Sequence, residues 1–160
     1  MTCKKQIDQV PADKAFFSPG NTCKDEIIHQ LGQARHSIQI CVFTISDNEI
    51  TKAIKEAHHR GISIKIISDN DKCNDRGSDV YTLVDEHIKV KIDHSRHHMH
   101  HKFAIFDKKV LITGSYNWTL SAAQYNQENI LVTYNPASIQ QYRKEFYRLW
   151  DEMEEVRALK

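Results

Sequence analysis

Three polar side chains with the spacing of a reaction centre lie in the second half of the chain. His100, Lys102 and Asp107 follow the order His-x-Lys-x-x-x-x-Asp. His100 and Lys102 are two residues apart at the start of a predicted strand, so their side chains point to the same face. An imidazole that can act as nucleophile or base is thereby placed beside a fixed positive charge. This pair is suited to attack on an anionic centre such as a phosphodiester.

A second group of polar residues, Gly-Ser-x-Asn, begins seven residues after Asp107. Ser115 and Asn117 end a strand that the dipeptide 108–109 joins to the strand after His100, so the hairpin can bring all four side chains into one pocket. An ammonium, a hydroxyl and an amide could hold the non-bridging phosphate oxygens as negative charge develops. No carboxylate pair suited to Mg²⁺ lies in the same window, so we predict a metal-independent reaction without a cofactor.

The phrases HMHHKFAIFD (98–107) and GSYNWT (114–119) resemble the HKD motif of the phospholipase D superfamily. The resemblance extends from about residue 16 to residue 150 and includes the segments 38–69 and 126–132. It is closest to small single-motif members such as the bacterial nuclease Nuc. The chain also resembles the mitochondrial cardiolipin hydrolase and Zucchini group, although the zinc-binding insertion of the animal Zucchini proteins is absent.

This resemblance implies a covalent mechanism. His100 would attack phosphorus and form a phosphohistidine intermediate, and His100 of a second subunit would protonate the leaving oxygen and then activate water. The family uses two HKD motifs per active site, whereas this chain has one. The resemblance therefore implies a two-fold homodimer with the active site on its axis.

The resemblance also assigns supporting roles. Lys102 and Asn117 would hold the phosphoryl oxygens, with Ser115 beside them. Glu128 would hydrogen-bond the nucleophilic imidazole and orient its ring. Asp107 completes the predicted catalytic set with the imidazole, Lys102 and Glu128, but its role would be mainly structural.

Histidines are concentrated next to this motif, since six of the ten lie between residues 87 and 101. They predict a rim that becomes cationic in mild acid and attracts a polyanion. The side chains expected to contact substrate there are Arg96, His101, Tyr116 and Trp118. Histidine clusters also bind zinc or nickel, and the candidates are His94, His97, His98 and His101. Their spacing matches no closed metal site, so no metal is predicted.

The chain as a whole reads as a single domain, residues 1–160, with 40% hydrophobic and 27% charged residues. Its net charge of +1 does not by itself indicate a nucleic-acid partner. No apolar run is long enough to span a membrane, and no signal peptide is visible, which suggests the cytoplasm, or the periplasm or exterior if a leader has been removed. Cys41 is expected to be a buried thiol, while the pairing of Cys3, Cys23 and Cys73 is left open.

Alternating strand and helix patterns predict an α/β fold: a mixed, mostly parallel β-sheet with helices on both faces, as in phospholipase D-like proteins. Helices are expected at about residues 21–35, 47–60, 79–87 and 136–159. Strands are expected at 15–18, 37–45, 62–68, 88–93, 102–107, 110–115 and 126–134, with a loop at 69–79.

Three functions fit these observations. The first is a nuclease acting on DNA or RNA. The second is a lipid phosphodiesterase acting on cardiolipin or phosphatidyl lipids, which is less favoured because no membrane-docking segment is evident. The third is a non-catalytic nucleic-acid-binding module, which the complete set of polar residues argues against.

Overall fold

The computed structural model describes residues 10–158. Its strands are β1 (Lys14–Phe17), β2 (Ser37–Val42), β3 (Ser63–Ser68), β4 (Lys89–Ile92), β5 (Lys102–Phe106), β6 (Val110–Gly114), β7 (Asn129–Thr133) and β8 (Glu154–Glu155). Its helices are α1 (Thr22–Gln33), α2 (Asn48–His59), α3 (Asn70–Cys73), α4 (Val80–Asp85), α5 (Leu120–Gln124) and α6 (Pro136–Glu152). The strands form one sheet in the order β1-β7-β6-β5-β2-β3-β4-β8.

The sheet is mixed, as predicted, but it is not mostly parallel. Only β2–β3 and β3–β4 are parallel among the seven pairings in the described residues. The turn of residues 107–109 between β5 and β6 is too short to cross over a sheet, so these strands are antiparallel. β5 also lies antiparallel to β2, and β7 lies antiparallel to both β6 and β1. The prediction of a mixed sheet is therefore confirmed, whereas the prediction that most neighbouring strands are parallel is wrong.

Helices cover both faces of the sheet, as predicted. One core joins the inward sides of α1, α2 and α4 to Ile38, Ile40 and Val42 of β2. A second core joins α6 to the opposite face, which includes Cys41. Successive residues of β2 thus point into the two opposite cores. Because both cores exclude water, the sequence of this strand is a nearly continuous apolar run.

Helix boundaries agree with the sequence patterns except at the carboxyl end. The Asp47 carboxylate caps α2, and Gly61 follows that helix at φ 85°. The last helix ends at Glu152 rather than near residue 159, and the chain then adds β8 to the edge of the sheet. There the Val156 amide donates to the Val90 carbonyl at 2.9 Å, so pairing with β4 replaces further helix. The predicted loop 69–79 contains the short helix α3.

Three cysteines are buried free thiols: Cys23, Cys41 and Cys73. The prediction for Cys41 is confirmed, whereas Cys3 lies outside the described residues. Burial raises the pKa of the Cys23 thiol to about 11, so this group stays protonated near neutrality. Within residues 10–158, no helix has the length and apolar character needed to cross a membrane.

Candidate active site

The predicted reactive residues meet at one edge of the sheet. This edge is formed by the carboxyl ends of the parallel strands β2, β3 and β4, by the start of β5, and by the end of β6 beside the start of β7. Lys102 pairs with Val42 across β5 and β2, and Gly114 pairs with Ile130 across β6 and β7. Because neighbouring antiparallel strands run in opposite directions, the end of one strand meets the start of the next.

A cavity of about 370 Å³ opens at this edge. It is lined by His100, Lys102, Gly114, Ser115, Asn117 and Glu128. The structure therefore brings together the five side chains to which the sequence assigned nucleophilic, phosphate-binding and ring-orienting roles. The cavity offers an imidazole, an ammonium, a hydroxyl, an amide and a carboxylate.

His100 and Lys102 are in direct contact. The Lys102 Nζ lies 3.0 Å from His100 Nδ1 and donates to the His100 carbonyl oxygen at 2.6 Å. Removal from water lowers the pKa of His100, and the positive charge of Lys102 lowers it further. Burial also lowers the pKa of Lys102. The imidazole is therefore biased toward its neutral form, which is the form that can attack phosphorus.

Phe43, which sequence reasoning did not single out, supports both of these side chains. Its ring lies 4.6 Å from the His100 ring and 5.0 Å from the Lys102 Nζ, measured from the Phe43 centroid. Its backbone amide donates to the His101 carbonyl at 2.9 Å. The one sequence feature that could have indicated Phe43 is its position as an aromatic residue directly after β2. The ring forms an apolar floor against which the His100 imidazole packs.

Glu128 does not hydrogen-bond His100 in this structure, so that predicted contact is not observed. The Glu128 carboxylate instead accepts from the Ser115 hydroxyl and from the Asn126 side-chain amide. The Ser115 hydroxyl in turn accepts from the Asn129 backbone amide at 3.2 Å. Glu128 is thus engaged with Ser115 on one side of the cavity, while the Nδ1 of His100 faces Lys102 on the other.

Gly114 has a steric reason to be glycine. A Cβ at this position would overlap the Asn129 carbonyl oxygen, because β6 and β7 approach closely there. This close approach brings Ser115 and Glu128 to the same cavity. The glycine of the Gly-Ser-x-Asn group therefore shapes the site without contributing a functional group.

Tyr116 and Trp118 are not rim residues, so this prediction is wrong. They are only 1% and 2% exposed and belong to the core beneath α1 and α5. The Trp118 amide donates to the Thr44 carbonyl at 3.1 Å, which draws this segment against the end of β2. In this segment Ser115 and Asn117 line the cavity, whereas the two aromatic side chains between and after them are buried in the core.

Asp107 lies at the opposite end of β5 from Lys102, roughly 17 Å away at about 3.4 Å per residue, and does not line the cavity. Its carboxylate accepts from the backbone amides of three residues that precede and begin β2: Arg35, His36 and Ser37. Burial acts to raise the pKa of Asp107, but these hydrogen bonds hold it below its usual value. These contacts and its distance from the cavity fit the mainly structural role expected for Asp107 rather than a place among the catalytic side chains.

The two remaining predicted rim residues, Arg96 and His101, are exposed. His101 points toward α6, where its ring packs edge-on against Phe103 at 5.6 Å and its Nε2 lies 3.9 Å from a Glu145 oxygen. The histidine-rich segment lines a second cavity of about 350 Å³, which adjoins His100. Arg96 does not line either cavity.

The histidine cluster does not form the considered metal site. In the part of the chain that the structure describes, the side chains close enough to share an ion are Asp69, Asp71 and His98, with ligand atoms within 4.8 Å. Asp69 already uses both carboxylate oxygens in hydrogen bonds. His94, His97 and His101 are not part of this group.

The mixed sheet, its two helical layers and the site at its edge define the phospholipase D fold. The chain superposes on Nuc from Salmonella typhimurium, a phospholipase D family member, with a TM-score of 0.87 over 92% of this chain and 99% of that one, at 24% identity. NucT from Helicobacter pylori gives a TM-score of 0.83 over 91% and 99% of the two chains, also at 24% identity.

Sequence comparison gives the family. Residues 27–150 match the family described as "Cardiolipin synthase, PLD-like domain", and the chain belongs to it. It is 39% identical over 135 residues to the mitochondrial cardiolipin hydrolase of Chlamydomonas reinhardtii, covering 84% of this chain and 60% of that protein. The human mitochondrial cardiolipin hydrolase is 36% identical over 161 residues, covering 95% and 64%. The chain thus spans about three fifths of the length of these relatives.

The predicted membership of the phospholipase D superfamily is confirmed, with both subgroups represented. Identity is higher with the cardiolipin hydrolases than with Nuc, whereas the Nuc fold is matched over nearly its whole length.

Proposed function

We propose that this chain is a metal-independent phosphodiesterase in which His100 is the covalent nucleophile. The observation that carries this proposal is the convergence of His100, Lys102, Ser115, Asn117 and Glu128 on one cavity. A neutral imidazole beside donors for the phosphate oxygens is what a covalent phosphoryl transfer requires. The groups enter the cavity from the start of β5, the end of β6 and the start of β7, so their positions are held by the sheet.

Substrate binding would rearrange two hydrogen bonds. Attack through Nε2 needs the proton of the neutral imidazole on Nδ1, where Lys102 now lies at 3.0 Å. A bound phosphate would draw the Lys102 ammonium onto its oxygens, together with the Asn117 amide. Glu128 would then exchange the Ser115 hydroxyl for the Nδ1 proton of His100, and Ser115 would become free to donate to the phosphate.

The bond changes then balance without a metal ion. The Nε2–P bond forms as the P–O bond to the leaving group breaks, and the leaving oxygen takes a proton from a second imidazole that starts in its protonated form. That imidazole next removes a proton from water, whose oxygen attacks phosphorus and breaks the N–P bond. His100 returns to its starting state.

The second imidazole is proposed to be His100 of another copy of this chain. The sequence contains one His-x-Lys-x-x-x-x-Asp pattern, and the chain's own cavity contains one imidazole. His100 is exposed at the edge of the sheet, where a second copy can approach it. A two-fold homodimer would place each imidazole opposite the other.

A polynucleotide, DNA or RNA, is the proposed substrate. Five of the six residues that line the reactive cavity are polar or charged, and the exposed histidine-rich segment beside it can follow a charged backbone. Cardiolipin or a related phosphatidyl lipid is the second candidate. It is favoured by the names of relatives that are 36% and 39% identical to this chain.

The test uses labelled single- and double-stranded DNA and RNA, and cardiolipin vesicles, all in EDTA. His100→Asn is the inactive variant, and His29→Asn, an exposed histidine on α1, is the matched control. We expect cleavage in EDTA by the wild type and His29→Asn but not by His100→Asn, with acid-labile phosphate trapped on the protein. The best substrate decides between nucleic acid and lipid. Equal cleavage by His100→Asn would refute the mechanism, as would complete inhibition by EDTA.

A further inference from the structure

A buried carboxylate links the nucleophile's segment to the end of β3. Asp69 has no exposed surface, and both of its oxygens accept hydrogen bonds. Its Oδ1 accepts from two backbone amides in the first turn of α3, at 3.0 and 3.1 Å. Its Oδ2 accepts from the Met99 backbone amide at 3.0 Å and lies 3.2 Å from Nδ1 of His98. Met99 directly precedes the proposed nucleophile.

The segment that carries His100 depends on such anchors. It precedes β5 and has no regular strand hydrogen bonds of its own. On the carboxyl side of His100, the His101 carbonyl is held by the Phe43 amide at 2.9 Å. On the amino side, the Met99 amide is held by Asp69, and the Met99 side chain is 5% exposed against Cys41. The His100 backbone is thus fixed between two anchored neighbours.

Capping of α3 does not by itself account for a buried aspartate at this position. Asparagine and serine cap helices as well as aspartate does, and a carboxylate taken out of water costs free energy unless hydrogen bonds compensate it. The four contacts to Asp69 provide that compensation, and two of them come from the nucleophile's segment. A charged acceptor forms stronger hydrogen bonds than a neutral one, which favours a defined backbone position at Met99.

We propose that Asp69 is a positioning residue for the reaction. Its Oδ2 holds the backbone immediately before His100, so that the imidazole rests on the Phe43 ring and faces the phosphate-binding side chains. The proposal rests on the nucleophilic role of His100 given above. Asp69 itself does not line the reactive cavity and contacts no reacting atom.

Asp69→Asn tests the hydrogen bond to the Met99 amide separately from the capping of α3. The substitution keeps the size of the side chain, and asparagine still caps a helix. Whichever way its amide turns, an NH₂ group faces either the α3 amides or the Met99 amide, and one set of donors loses its acceptor. Facing the NH₂ toward Met99 preserves the cap, so the loss falls on the nucleophile's segment.

Kinetics of the full chain provide the first readout. We expect kcat of Asp69→Asn to fall by roughly 10- to 100-fold with KM within about twofold, because a small misplacement of a reacting group lowers the rate more than it lowers binding. Asp47→Asn is the matched control, since Asp47 is 2% exposed and caps α2 without contacting the histidine segment. Its kcat should remain that of the wild type. A kcat of Asp69→Asn within about twofold of wild type would overturn the proposal.

A second readout does not depend on activity. The imidazole signal of His100 is assigned by NMR from its loss in His100→Asn. We expect it to be narrow and distinct in the wild type and in Asp47→Asn, and to broaden or move toward the signals of exposed histidines in Asp69→Asn. An unchanged signal would refute the positioning role. If the wild type cleaves no phosphodiester, the proposed function fails, and this measurement still decides whether Asp69 orders His100.

Discussion

Replacing Asp107 with alanine tests whether the last residue of the motif stabilises the fold or takes part in chemistry. Its carboxylate accepts from three backbone amides at 2.7–2.9 Å, and its own backbone lies at φ 53°. A hydrogen bond to a charged group contributes about 1.5–3 kcal/mol. Two of these three are solvent-exposed, so water replaces them in the variant and we count about 1 kcal/mol for each. The left-handed backbone adds up to about 1 kcal/mol against alanine.

Asp107→Ala should therefore lower the free energy of unfolding by about 3.5–6 kcal/mol. Asp107→Asn should lower it by about half as much, because asparagine tolerates positive φ and retains one acceptor oxygen. Urea unfolding measures both values, and kcat is compared at a temperature where every variant is folded. Because Asp107 is remote from the cavity, kcat should stay within about threefold of wild type. The reasoning is refuted if kcat falls more than about 100-fold while stability changes by less than about 0.5 kcal/mol.

The pH dependence of the stability of these variants tests whether the ionised Asp107 carboxylate provides the stabilisation. Burial opposes ionisation of Asp107, but the three amides hold its folded-state pKa below the ordinary aspartate value. Its contribution to stability is therefore complete above the unfolded-state pKa and is lost as the pH falls through the lowered folded-state pKa. The stability difference between wild type and Asp107→Ala should be largest near neutrality and should shrink in acid. A difference that grows in acid would contradict this assignment.

Two further predictions concern the cavity. Gly114→Ala should lower stability by about 2 kcal/mol, because the new Cβ overlaps the Asn129 carbonyl, whereas Gly32→Ala on α1 meets nothing within 4 Å and should be neutral or slightly stabilising. Thermal unfolding compares them, and equal midpoints would contradict the steric reason. Lys102→Met should raise the pKa of His100, because the positive charge of Lys102 lowers it. NMR titration of the His100 ring measures this, and an unchanged or lower pKa would show that burial alone sets it.

The spacing of the reactive residues was predictable because it is a local property of strands and a hairpin. Side chains two residues apart share a face, and a short turn returns the chain beside itself. These two facts place His100, Lys102, Ser115 and Asn117 together without knowledge of the rest of the fold. The structure brings these four side chains to one cavity.

The residues that support the nucleophile were not predictable in this way. Asp69 and Met99 are 30 positions apart in sequence and meet only because β3 ends at the same sheet edge as the start of β5. Phe43 reaches His100 because β5 inserts beside β2, antiparallel to it. No local pattern encodes which strands become neighbours, since that depends on the packing of the whole sheet.

The burial of side chains also shows which features follow from local sequence and which follow from tertiary structure. The sequence by itself indicated that Ser115 and Asn117 lie on one side, because residues two apart in an extended segment point the same way. Only the tertiary structure decided that Tyr116 and Trp118 are buried, because they share a core with residues of α1 and α5. Likewise, apolar runs predicted strands, but the balance of parallel and antiparallel neighbours was decided by strand order. Periodicity is a property of a few consecutive residues, whereas burial and pairing are properties of elements that meet only after the chain has folded.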